Sequence, residues 1–386
     1  MKNNIFSEQF RKNFYSVNFG KKYLYQNKII ENTTNAMSLD ILNEMLSIRS
    51  HWNNKNFIMM LDKQNVKYTD YSSLFLETSG QNLRPDVDKV QNWISKGASI
   101  VLNEIDNLNA SLINIANELQ NMTNGRCQGN LYFSMQSRQA FGPHCDPHDV
   151  FAIHFEGEKV WNIYENIEIN PINHPMFKPS AEERIKRAGK IIDQITLKPG
   201  DLLYLPRGQY HDALASKSGA IHIAFGLTYV KPIDLLPLFY EKSIPNDFMR
   251  KDLKINATKD DLKNDLKKLS IELQKIINSD ETLDLVTENI KSWPYKFKNY
   301  SLSNIVAGEK SYKVSKSIRI EKKGKEAFLT NGKQKVNIPH NYLDITAYIL
   351  KQEFITFKSI SLKFNNTPEK IIKECIEKMS DMEVLS

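Results

Sequence analysis

Within the stretch from Asn130 to Thr228 lie a triplet, His144-Cys145-Asp146, and a distant His211. Side chains along a strand point alternately to opposite faces. If the chain enters a strand between Gly142 and Phe151, His144 and Asp146 therefore share one face and Cys145 takes the other. The run from Pro199 to His211 reads as a turn, an apolar strand, a second turn and a histidine, and it can carry a second imidazole back to the first. Two imidazoles and one carboxylate on one side of a metal leave the remaining positions open, as an Fe(II) oxygenase requires. A His-x-Asp triplet also arises by chance. Its specificity here comes from its company: Asp149–Tyr164 follows as an apolar strand, a turn at Glu156-Gly157-Glu158 and a second strand bearing Lys159.

The segments Asn130–Ser134, Gly142–Phe151, Glu156–Trp161, Leu197–His211 and Ile221–Gly226, in this order and spacing, resemble the JmjC-type cupin oxygenases. Within that family they are most similar to the ribosomal oxygenases, and the likeness runs from about Phe6 to Tyr229. The resemblance implies a double-stranded β-helix (cupin or jelly-roll) with flanking helices. It makes His144, Asp146 and His211 the iron ligands, with no catalytic side chain beyond them. It also implies Fe(II) and O2, with 2-oxoglutarate as cosubstrate, its far carboxylate meeting Lys159 and with contacts from Asn130 and Tyr132. A lysine inside a barrel is costly unless an anion neutralises it, which gives Lys159 a physical reason to face such a ligand. Alternation alone leaves open whether Lys159 and Trp161, or Val160 and Tyr164, face the interior; the resemblance selects the first pair.

Two departures from the family accompany these matches. His154 stands where glutamine is expected, and Ala224 and Gly226 stand where hydroxyl residues usually approach the cosubstrate. His148 and His222 are read as supporting imidazoles rather than ligands. The implied activity is 2-oxoglutarate-dependent hydroxylation of a side chain on a protein or peptide, foremost a ribosomal protein. The alternatives are hydroxylation of a ribosomally made precursor peptide, demethylation by the same chemistry, and a metal-binding cupin that is no oxygenase. Turnover of 2-oxoglutarate separates the last from the others.

With 386 residues, 41% of them hydrophobic, the chain can hold two or three domains with real cores. Cys127, Cys145 and Cys375 show no paired spacing, so neither a disulfide framework nor a zinc site is indicated. No apolar run suits a signal peptide or a membrane span, and a cytoplasmic location without membrane contact is expected. The net charge of +7 is a mild excess that suits an acidic or ribosome-associated partner.

Three domains are expected: a JmjC catalytic domain over 1–231, a helical segment over 232–292 and a C-terminal module over 293–386, giving an α+β chain overall. Aromatic residues from Phe10 to Tyr25 form a stripe that packs on the core. Helices are predicted over Ser38–Arg49, Val87–Lys96 and Asn107–Met122, the last ended by Asn124-Gly125. Gln136 and Arg138 fall in a polar loop at the barrel mouth. Leu262, Leu266, Leu269, Leu273 and Ile276 form one apolar stripe on a charged helix, which either packs on its own chain or, as in ribosomal oxygenases, forms a homodimer. The C-terminal module, with a turn signal at Asn331-Gly332, resembles the winged-helix domain of those enzymes. Its lysines are dispersed rather than gathered on one helix face, so protein recognition is favoured over direct nucleic-acid binding.

Overall fold

The computed structural model describes residues 5–135, 141–216, 219–295, 297, 310–315, 318–324, 326–330, 335–382 and 384–385. Gln136, Arg138, Asn331 and Gly332 lie outside the described residues. The chain divides into two compact units, Met1–Lys298 and Asn299–Ser386, so the helical segment after Pro232 belongs with the first.

The first unit contains strands β1 (Leu24–Gln26), β2 (Phe57–Leu61), β3 (Gln64–Asn65), β4 (Ser72–Glu77), β5 (Gly80–Pro85), β6 (Ser99–Leu102) and β7 (Arg126–Ser134). These are followed by β8 (Asp149–Glu156), β9 (Lys159–Ile167), β10 (Ile191–Leu197), β11 (Leu202–Leu205), β12 (Gln209–Ala215) and β13 (Ala220–Thr228). One eight-stranded sheet has the order β1-β11-β8-β13-β7-β6-β2-β3, and a three-stranded sheet has the order β10-β9-β12. The pairings within both sheets are antiparallel. The two sheets enclose a small apolar cluster that includes Val150, Ala152, Trp161, Ile163, Leu203 and Leu205.

The opposite face of the large sheet packs the main core. On β8 and β13, Phe151, Ile153, Phe155, Ile221, Ile223, Phe225 and Leu227 turn that way, while Val150, Ala152, His154, His222 and Ala224 alternate to the other side. Both faces are covered, which is why these strands read as nearly continuous apolar runs. Phe6, Phe10 and Phe14 stack in sequence, and the Phe14 ring meets Tyr204 edge-on at 4.7 Å. The N-terminal aromatic stripe thus closes this core, although Tyr15 and Tyr25 remain exposed.

The flanking helices are α1 (Glu8–Asn13), α2 (Leu39–Ser47), α3 (Val87–Ser95), α4 (Ala110–Thr123) and α5 (Ala181–Ala188), of which α2, α3 and α4 form where the sequence places them. Ser38, Asp86, Asn109 and Ser180 cap α2 to α5 through side-chain oxygens. At the end of α4 the left-handed residue is Asn124, with φ of 54°, rather than Gly125. Gly125 serves close approach instead, since a Cβ there would lie 2.7 Å from the Tyr229 ring. In the β8–β9 hairpin, Gly157 has φ of +67°, and a Cβ would lie 2.9 Å from the Ala220 Cα, so both backbone and space call for glycine. The strands β2 to β5 have no counterpart in the sequence expectations.

After β13 come α6 (Leu236–Ser243), α7 (Lys259–Ile277) and α8 (Asp280–Ser292). No residue of α7 is buried, and only Thr282 of α8 is. The second unit contains β14 (Ser311–Lys313) paired with β18 (Phe354–Thr356), and a meander of β15 (Arg319–Lys323), β16 (Glu326–Thr330) and β17 (Lys335–Ile338). Helices over Leu343–Ile349, Phe357–Lys363 and Glu369–Asp381 bury Ile345, Ile349, Ile360, Ile372 and Ile376 in a separate core.

Candidate active site

His144, Asp146 and His211 each offer a ligand atom, and these atoms lie within 4.8 Å of one another. His144 and Asp146 do not sit in a regular strand, as the sequence had suggested; β8 begins only at Asp149. Pro143 and Pro147 have no N–H to give a ladder, so the segment pairs with β12 through isolated contacts. His144 and His211 exchange backbone hydrogen bonds of 3.0 and 2.8 Å, and Gly208 N donates to the Asp146 carbonyl at 3.0 Å. The effect that alternation predicted is retained, with Cys145 turned toward Tyr164, Ala188 and Tyr210.

Each histidine is oriented by a carbonyl two residues upstream. His144 Nδ1 donates to Gly142 O at 2.9 Å, and His211 Nδ1 donates to Gln209 O at 2.9 Å. A carbonyl can only accept, so the proton sits on Nδ1 in both rings and the Nε2 lone pairs are free for a metal. His211 Nε2 lies 3.7 Å from Asp146 Oδ2. Burial and the neighbouring His144 hold His211 down at about 4, so its imidazole is neutral near pH 7. Burial acts to raise Asp146, but His144, His211 and His148 outweigh it and its carboxyl stays below the usual range. Trp161 stacks on the His211 ring at 5.7 Å and limits its rotation.

Beside this cluster is a cavity of about 180 Å³ bordered by Tyr132, Lys159, Trp161 and His222 as well as the three clustered residues. Lys159 therefore faces the interior, which settles the alternation left open by sequence. It is 5% exposed, and its ammonium donates to Ser134 Oγ at 3.1 Å. Among the described residues it forms no ion pair, and burial pushes it down to about 7. An ammonium served by one neutral hydroxyl at the wall of a cavity is suited to receive an anion.

Tyr132 lines the cavity, stacked on His222 at 4.7 Å, and burial raises its phenol. Asn130 lies on the same strand face but does not border the cavity; its Oδ1 accepts from Glu104 N at 3.3 Å. His154 is fully buried, both ring nitrogens lack hydrogen-bond partners among the described residues, and burial together with Lys159 holds it down at about 4. Among the described residues His222 Nδ1 and Trp161 Nε1 are likewise buried without hydrogen-bond partners, leaving unused hydrogen-bonding capacity around the cavity. His148 is not part of the His144, Asp146 and His211 cluster. Its ring lies against Gly226, where a Cβ would come within 2.9 Å of it, so the missing hydroxyl at that position makes room for an imidazole. Sequence reasoning missed Ser134, although it ends the strand that carries Asn130 and Tyr132. It also missed the two orienting carbonyls, whose shared spacing becomes visible only once the tautomers are assigned.

Residues 102–235 match the JmjC domain family. The bifunctional lysine-specific demethylase and histidyl-hydroxylase NO66 of Dictyostelium discoideum is 30% identical over 213 residues, covering 54% of this chain and 39% of that protein. Ribosomal oxygenase 2 of Bos taurus is 32% identical over 123 residues, covering 32% of this chain and 25% of that protein. The chain thus spans no more than about two-fifths of the length of these curated relatives. Among solved structures, Escherichia coli YcfD matches with a TM-score of 0.57 at 15% identity over 97% of both chains. The E. coli ribosomal oxygenase YcfD in complex with cobalt and succinic acid matches with a TM-score of 0.54 at 14% identity, again over 97% of both chains. The chain therefore has the α+β, cupin-type JmjC fold and is ribosomal-oxygenase-like.

Proposed function

We propose that this chain is an Fe(II)- and 2-oxoglutarate-dependent dioxygenase that hydroxylates a side chain of a protein or peptide, foremost a ribosomal protein. The observation that carries this reading is one cavity bordered both by the His144, Asp146 and His211 cluster and by the buried Lys159. The donor set of two neutral-capable imidazoles and a carboxylate suits Fe(II) and leaves positions for a chelating cosubstrate and O2. Iron bound there would supply O2 activation coupled to decarboxylation of 2-oxoglutarate.

The chain's own groups do the positioning. Gly142 O and Gln209 O keep Nε2 of each histidine presented, and Trp161 restrains the His211 ring. Lys159 would hold the far carboxylate of the cosubstrate, with Tyr132 beside it; Asn130 would reach it only if its hydrogen bond from Glu104 were exchanged. No further catalytic side chain is invoked. The complex of E. coli YcfD with cobalt and succinic acid supports this cosubstrate class.

The same reading makes residues 1–231 the catalytic domain, 232–292 a dimerisation segment and 293–386 a winged-helix-like domain. Of the predicted stripe on α7, Leu262 and Leu266 are exposed while Leu269, Leu273 and Ile276 are half-buried within the single chain; a homodimer through α7 and α8 is supported by the two exposed leucines together with Leu283 and Ile290 of α8, also exposed. No described helix is long and apolar enough to cross a membrane, and the ribosomal-oxygenase likeness favours a cytoplasmic location. The test is mass spectrometry of ribosomal proteins from cells with and without the active protein. A gain of one oxygen on a single side chain is expected, and its absence from every ribosomal protein would remove the substrate assignment.

A further inference from the structure

Two further cavities adjoin the site and share one residue. One, of about 310 Å³, is bordered by His144 and Asp146 and by Lys178 and Arg184. The other, of about 360 Å³, is bordered by Lys63, Phe141 and Arg184. Arg184 therefore joins them into a groove that reaches the clustered ligands.

The charge of this groove is one-sided. Among its described lining residues the only carboxylate is Asp146, which already belongs to the ligand cluster, whereas Lys63, Lys178 and Arg184 are cationic. None of the three forms an ion pair among the described residues. Arg184 Nε is buried without a hydrogen-bond partner among the described residues, and an unserved guanidinium N–H of this kind is costly unless an acceptor arrives.

Lys63 is placed there by its backbone. Asp62 and Lys63 are the two residues between β2 and β3, with φ of 49° and 68°. Glycine or asparagine commonly fills such left-handed positions, yet here they carry charged side chains. The Lys63 chain lies along Gly142, with Cδ, Cε and Nζ 3.8–3.9 Å from where a Cβ would stand. Its ammonium is thereby held beside the residue whose carbonyl orients His144.

We propose that this groove is the substrate-binding subsite and selects a peptide with an aspartate or glutamate close to the residue that is modified, Arg184 being the principal specificity determinant. The proposal rests on the reading of the site as a peptidyl hydroxylase. Guanidinium suits a carboxylate by its planar fork, and Lys63 and Lys178 add point charges on either side.

The test separates this claim from turnover, because binding is measured on the apo full-length protein without iron or 2-oxoglutarate. An oriented peptide library with equal Asp, Glu, Asn, Gln, Lys and Arg at each varied position is passed over the protein, and the retained pool is sequenced. Enrichment of Asp and Glu over their amides is expected. It should fall about tenfold in Arg184→Gln and reverse toward Lys in Arg184→Glu, with circular dichroism verifying that both variants fold. No acidic enrichment in the wild type, the same enrichment in both variants, or retention displaced only by single-stranded RNA would each overturn the proposal. Failure of 2-oxoglutarate turnover with the acidic enrichment intact would count against the oxygenase reading alone.

Discussion

Replacing Lys159 by Met should make the free protein more stable and the cosubstrate weaker at the same time. Lys159 is enclosed, and its ammonium falls from its ordinary 10.5 to about 7 through burial. At about 1.4 kcal/mol per unit, that depression corresponds to roughly 4–5 kcal/mol of unfavourable burial of the charged form. Methionine keeps most of the volume and removes the charge, losing the bond to Ser134 Oγ at 3.1 Å and the contact of the ammonium with the Tyr132 ring at 5.9 Å. Replacing a poorly compensated buried charge by a packed apolar group stabilises by about 1–4 kcal/mol, so an upward shift in the apo melting temperature is expected. Loss of a charge-assisted contact worth about 1.5–3 kcal/mol weakens 2-oxoglutarate binding about tenfold to a hundredfold. Iron affinity should change far less, since Lys159 is not among the clustered ligands. Anaerobic calorimetric titration of metal and cosubstrate, with thermal melts, measures all three quantities. Unchanged 2-oxoglutarate affinity with normal iron binding would refute the role given to Lys159.

The remaining predictions concern pH, assembly and folding. The charged form of Lys159 binds the anion and the free group titrates near 7, so 2-oxoglutarate affinity should fall by up to about tenfold per pH unit above 7; titrations across this range that stay flat would contradict it. Leu266 is 60% exposed in the single chain, so Leu266→Asp should leave the fold intact and convert a dimer to monomer in light scattering, whereas a persisting dimer would remove α7 from the interface. Gly157→Ala should destabilise by about 1–3 kcal/mol in denaturant unfolding, because φ is +67° and its Cβ would meet Ala220 at 2.9 Å; an unchanged midpoint would show that the hairpin relaxes freely.

Much of the site was legible because its signals are local. The His144-Cys145-Asp146 triplet, the Pro199–His211 run and the Glu156–Glu158 turn each combine a residue type with a period that short-range geometry imposes. The side of the strand on which Lys159 lies was not legible from alternation, because apolar residues occupy both faces of these strands. Only the position of β9 between β10 and β12, with Trp161 and Ile163 turned into the inter-sheet cluster, fixes that face. Prolines on either side of the triplet set the limit of the strand expectation, and the cluster survives because one backbone pairing, His144 with His211, is enough to join the segments. Asn130 shows the converse: it shares a strand face with Tyr132, yet a hydrogen bond from a residue distant in sequence occupies its side chain. The groove at Arg184 was invisible in sequence, since Lys63 comes from the turn between β2 and β3 and Lys178 and Arg184 from the insertion between β9 and β10, two distant segments that only the tertiary fold brings together.

The measurement that bears most directly on the central claim is succinate formation from 2-oxoglutarate by the purified protein, with iron content determined on the same samples. It is compared among the wild type, His144→Ala, Asp146→Ala and His211→Ala in the presence of a ribosomal-protein digest. Succinate that depends on added Fe(II) is expected in the wild type and should be lost, together with bound iron, in all three variants while circular dichroism remains unchanged. Full succinate formation by any one of the variants, or a wild type that holds iron and 2-oxoglutarate but forms none, would contradict the central claim.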